Sequence, residues 1–167
     1  MKRIYLLFSF LLALIFNSGA AVLTITYDAT QGVSGLTGAT DVYMHSGAND
    51  QTGALNGSTW KFVVGNWGQS NGVGEMTNIG NNKWRISIDP VAYYSQAANG
   101  PVKGSSIKRI GLVFRNGPGN LEGKDANNSD IFIDLSGTSP AVFNSDGSPF
   151  GGVVATFSST VSSSTTT

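Results

Sequence analysis

The sequence contains no cysteine, which excludes disulfides, thiolate metal sites and a cysteine nucleophile. It contains one histidine, His45. A zinc site built from several imidazoles is therefore excluded, and any Ser-His-Asp constellation would have a single possible base. Charge is scarce: 10 Lys and Arg balance 10 Asp and Glu in 167 residues. Nucleic acid needs a basic surface for its phosphates, and this chain has none to offer. Only two of the acids, Glu75 and Glu122, are glutamates. Beyond the N-terminus there is no second long apolar run, so no other segment has the length of a membrane-spanning helix. Good helix formers are few, whereas Gly, Ser, Thr and Asn are abundant.

The first residues, MKRIYLLFSFLLALIFNSGAA, have an order of their own. Lys2 and Arg3 precede an apolar run from Ile4 to Phe16, and Ser18-Gly19-Ala20 supplies small residues after it. This is the order of a secretory signal peptide, and the run is too short to cross a bilayer. Residues 1–20 are read as that signal. The expected product is secreted, extracellular or on the cell surface, with no membrane contact after cleavage. Without disulfides it must be held by packing or by ions.

Period-two alternation recurs in short runs bounded by Gly, Asn, Asp and Pro, the pattern of half-buried strands. VLTITYD separates Val22, Thr24 and Thr26 from Leu23, Ile25 and Tyr27. DVYMHSG sends Val42 and Met44 one way and Tyr43 and His45 the other. TWKFVVG is a third candidate strand, and KWRISID alternates Trp84, Ile86 and Ile88 with polar residues until Pro90 stops it. IKRIGLVFRN and DIFIDL add Ile110, Leu112, Phe114, Ile131, Ile133 and Leu135 to one side. No stretch carries a helical stripe. The expected fold is all-β, a two-sheet antiparallel β-sandwich over residues 21–136. The predicted core is Trp84, Ile86, Ile88, Leu112, Phe114, Ile131 and Ile133. Residues 137–167 are poor in large apolar side chains and end in a Ser/Thr run. They are read as a tail or linker, with VVATF the one stretch fit for a strand, and a linker implies a further, covalently attached domain.

Three kinds of site were weighed. For catalysis, a glycosidase needs two carboxyl groups across a cleft, but the acids here sit mostly in turns and at strand ends, where Asp bonds the backbone. The chain is therefore read as non-catalytic. For a metal, GKDANNSDIF offers Asp125, Asn127, Ser129 and Asp130 as oxygen donors at calcium-loop spacing. It lacks the turn glycine and the closing glutamate, so an Asx-rich turn is the preferred reading and calcium the weaker one. For stacking, GNWGQ sets Trp67 among glycines and amides, where no strand can bury it. An exposed ring beside Asn66 and Gln69 suits a sugar, whose C–H face stacks on aromatics while its hydroxyls need polar partners. Tyr43 and His45 lie on the outward side of their strand. Trp60 stands at a strand start, equally compatible with a binding role and with rim packing.

In order along the chain come DVYMHSG, a tryptophan, GNWGQ, GEMT, NNKWRISID, IGLVFRNGPG and GKDANNSDIFIDL. This series resembles the starch-binding carbohydrate-binding modules of families 25 and 26, and more closely the N-terminal modules of secreted bacterial amylase-type enzymes. The resemblance runs from Val22 to Leu135. It implies a β-sandwich that holds an enzyme on α-1,4-glucan, with Tyr43 and His45 on the binding strand, Trp67 as the loop aromatic, and Asn127 and Asn128 in the polar turn. Two features depart from the pattern. The tryptophan that follows the histidine strand is displaced to Trp60 beyond ANDQTGALNGST, and Lys124 stands where a tryptophan precedes the Asp of the turn. The alternative to sugar binding is a structural or adhesion-type spacer, in which Trp67 packs on a neighbouring domain.

Overall fold

A computed structural model of the protein describes residues 21–49, 60–98 and 107–159. The expected signal peptide, most of the ANDQTGALNGST insertion and the terminal Ser/Thr run lie outside the described residues. The strands are β1 (Ala21–Asp28), β2 (Val33–Ser34), β3 (Tyr43–Asn49), β4 (Phe62–Val64), β5 (Thr77–Gly80), β6 (Lys83–Ile88), β7 (Arg109–Arg115), β8 (Glu122–Lys124), β9 (Ile131–Asp134), β10 (Ala141–Phe143) and β11 (Val153–Ser159), with one short helix, α1 (Pro90–Tyr94). They form two antiparallel sheets. One has the order β11-β1-β6-β5; the other runs β10-β9-β7-β3-β4, with β8 pairing both β7 and β2. The chain is an all-β sandwich.

Alternation decides which side chains meet between the sheets. β1 turns Leu23, Ile25 and Tyr27 inward, all fully buried. β3 contributes Met44 and Ala48, β7 contributes Ile110, Leu112 and Phe114, and β9 contributes Ile131 and Ile133. The predicted core is in place: Trp84, Ile88, Leu112, Phe114, Ile131 and Ile133 are buried, and Ile86 packs half-buried against them. Tyr27 and Phe114 join the sheets face to face, with ring centroids 3.8 Å apart and planes 14° from parallel.

Two features depart from the sequence reading. Pro90 ends β6 as expected but also opens α1. Asp89 caps this helix, accepting from the N–H groups of Val91 and Ala92 at 2.9 and 3.2 Å, and proline suits the first helical position because its missing N–H would have no partner there. The helix buries Tyr94, whose hydroxyl bonds Ser46 Oγ at 2.9 Å. The segment read as a tail from residue 137 supplies two strands: β11, at the VVATF stretch expected to be fit for one, and β10, which was not expected. β10 pairs with β9, and β11 pairs with β1 from Ala21↔Ser159 to Tyr27↔Val153. Small residues suffice there because β1 already offers an edge of backbone donors and acceptors.

The candidate calcium turn ties this C-terminal part down. Asp125 is fully buried. Its Oδ1 accepts from the N–H groups of Asn127 and Ser129 at 2.9 and 2.7 Å, and its Oδ2 from Ser145 N–H and Oγ at 2.6 and 2.7 Å. Burial by itself would raise this carboxyl's pKa, but bonds from Ser145, Ser129 and Asn127 outweigh it and hold the group below the usual carboxylate range. Four protein donors occupy the two oxygens, so this carboxylate anchors one turn to the other.

Candidate functional site

The outer face of the larger sheet carries the candidate site. β3 pairs with β7 so that Tyr43 meets Arg115, His45 meets Val113 and Gly47 meets Gly111. With Met44 and Ala48 turned inward, these pairs point outward. Over them lies an open cleft of about 450 Å³ lined by His45, Trp60, Trp67, Val113, Glu122, Lys124 and Asp130.

Trp60 has a seat made for it by two missing side chains. A methyl group on Gly111 would fall 2.2 Å from Trp60 Nε1, and one on Gly47 would fall 2.9 Å from Trp60 Cβ. The indole therefore rests directly on backbone, a close approach that only glycine permits. Trp67 stands differently. It is 42% exposed, and its indole N–H donates to the Gly119 carbonyl at 3.1 Å. His45 lies between the two. Its ring is 5.2 Å from Trp67, edge-on at 89°, and 5.6 Å from Trp60 at 43°. The indole planes are thus at least 46° apart (89° minus 43°), and the cleft presents two aromatic surfaces that no single flat object can cover.

Polar groups line the rest. Lys124 Nζ and Glu122 Oε2 form an ion pair at 2.5 Å. Trp60 Nε1 and His45 Nδ1 are buried without a hydrogen-bond partner among the described residues; the Trp60 N–H faces the Asp130 carboxylate but does not reach hydrogen-bond geometry. Burial, and then Arg115, lower the pKa of His45, so it is neutral at neutral pH. Burial raises the pKa of Asp130; the charge of Asp125 adds to this, while Lys124 and the Trp60 N–H oppose it. A raised carboxylate pKa means that the ionised form costs stability above that pKa, and the cost fades as pH falls toward the unfolded value of about 4. Asp130→Asn is accordingly expected to raise the urea midpoint at neutral pH. Urea titrations of both proteins at neutral and acid pH check this, and the variant's advantage shrinks as the pH is lowered.

The structure brings together three of the residues expected to bind, namely His45, Trp60 and Trp67. Tyr43 is a correction. It does lie outward of β3, but it is 5% exposed, covered by the Arg115 guanidinium 4.8 Å from its ring centroid. Asn66 and Gln69 are exposed beside Trp67 and bond each other, Nδ2 to Oε1 at 3.4 Å, but neither lines the cleft. Asn127 and Asn128 are exposed in the Asp125 turn, where Asn128 takes the left-handed conformation with φ 57°. They too stand outside the cleft lining. Sequence reasoning missed Glu122, Lys124 and Val113. Glu122 and Lys124 flank an inward glycine on a three-residue strand too short to show alternation. Among the described residues, no group of three or more His, Asp or Glu is placed to hold a metal.

A second cleft of about 450 Å³ lies between Ala21, Pro90, Val91, Ile107, Leu135 and Phe157. It is apolar, and its one carboxylate, Asp89, is committed to capping α1. It offers sugar hydroxyls no free partner. No protein-family model and no curated protein matches the chain.

Proposed function

We propose that the protein is a secreted, non-catalytic module that binds α-1,4-glucan on the outer face of its larger sheet and serves a larger secreted enzyme. One observation carries the reading: Trp60 and Trp67 share a cleft with planes at least 46° apart. A β-linked ribbon lays successive rings in nearly one plane and would match coplanar aromatics. An α-linked chain curves, so neighbouring rings turn and can face two tilted surfaces. Asp130 accepts from sugar hydroxyls, and Lys124 and His45 supply or share protons with them. Glu122 is tied to Lys124 at 2.5 Å, which suits a binding site more than a pair of reacting carboxyls.

Stacking removes apolar surface from water at about 25 cal/mol per Å². The cleft is open and sugar hydroxyls must give up water, so affinity is expected on the order of micromolar to millimolar. Affinity electrophoresis of residues 21–167 tests this. Migration retarded by soluble starch and unaffected by a soluble β-1,4-glucan is the expected result. Equal migration in both gels and in a blank gel would leave the spacer role as the better account.

A further inference from the structure

We infer that Arg115 is the positioning residue for Trp67, an inference that rests on the glucan-binding reading for its purpose but not for its geometry. Arg115 is charged yet 1% exposed. Its Nη1 donates to the carbonyls of Asn116 and Gly117 at 2.9 and 2.8 Å, and its Nη2 to those of Asn66 and Gln69 at 3.2 and 2.7 Å. The guanidinium lies over the ring of Tyr43, and Asp41, which accepts from Gly117 N–H at 3.0 Å, adds a compensating negative charge.

The four carbonyls belong to two loops. Asn66 and Gln69 bracket Trp67, so two bonds fix the backbone that carries the indole. Asn116 and Gly117 lead to Gly119, whose carbonyl holds the indole N–H. One side chain thus secures both the root of the ring and the edge against which it rests. Only a planar fork of donors can do this; a lysine ammonium is a single point with three. The loop around Trp67 is rich in glycine and would otherwise be ordered at a cost when ligand binds. Arg115 meets that cost during folding, and Trp67 is presented at a set angle to Trp60.

The experiment compares the full chain with Arg115→Lys. Hydrogen exchange of the Trp67 indole N–H, read by NMR in the free proteins, reports the clamp without any sugar, and starch affinity reports its purpose. Arg115→Lys is expected to fold, to exchange that indole proton at least about tenfold faster, and to bind starch about tenfold more weakly. A folded Arg115→Lys protein with unchanged Trp67 exchange overturns the inference, as does one whose ring is freed while starch affinity stays that of the parent. If the parent itself binds no starch, faster exchange still establishes the clamp and the glucan reading alone fails. If Arg115→Lys does not fold, Tyr43→Leu, which removes the ring under the guanidinium, is expected to shift both readouts the same way by a smaller factor; no shift in either overturns the inference.

Discussion

Phe114→Ala is expected to cost about 3–5 kcal/mol, the range for deleting a fully buried aromatic ring. Phe114 has no exposed surface and stacks at 3.8 Å on Tyr27, which comes from the opposite sheet. Removing it opens a cavity at the junction of the two sheets. The cavity stays open because the rigid strands on either side cannot close together. It also strips the cover from Tyr27, whose hydroxyl is buried without a partner among the described residues and whose pKa burial pushes up strongly. Domains of this size have about 5–15 kcal/mol of stability in all, so one substitution removes a large share. Urea unfolding followed by tryptophan emission measures the loss. A cost below about 1 kcal/mol would mean that the ring is not core. Phe157 supplies the contrast: it is 36% exposed near the end of β11, and its replacement by Ala is expected to shift the midpoint far less.

Trp67→Ala is expected to remove starch retention while leaving the fold nearly intact. The ring contributes one hydrogen bond, to Gly119, and an edge contact with His45, together on the order of 1 kcal/mol. Its exposed face, in contrast, is the part of the cleft that a sugar would cover. Trp60→Ala is expected to abolish retention as well, since its seat on Gly47 and Gly111 leaves bare backbone where a stacking surface had been. Thermal melts and affinity electrophoresis of both variants separate binding from folding. A folded Trp67→Ala protein that binds starch like the parent would place the site elsewhere. One that does not fold would make the indole a structural prop for the loop.

The two variants differ in how visible their residues were. Trp67 could be singled out from its neighbours alone, because glycines and amides on both sides cannot bury an indole. Trp60 could not. Its role depends on Gly47 and Gly111, which meet only when β3 and β7 pair. Tyr43 was misjudged for a related reason. Alternation put it on the outward side of β3, and it is there. That the outward side is itself covered at this point depends on Arg115, which lies opposite it on β7. Beyond residue 137 the VVATF stretch was legible as a strand and is β11, whereas β10 was not, because the three residues Ala141–Phe143 are too few to show alternation.

The chain's own pattern determined the all-β class, most strand positions, the inward sets of β6, β7 and β9, and the exposure of Trp67. Each of these follows from local periodicity or from immediate neighbours, and a period of two is complete within a few residues. The tertiary structure alone decided that Trp60 rests on paired glycines, that His45 separates two tilted indoles, that Arg115 reaches carbonyls as many as 49 residues away, and that Asp125 bonds a turn 20 residues on. These depend on which strands become neighbours and in what register. That choice is made by the burial of all the inward faces together, so no short stretch of sequence carries it.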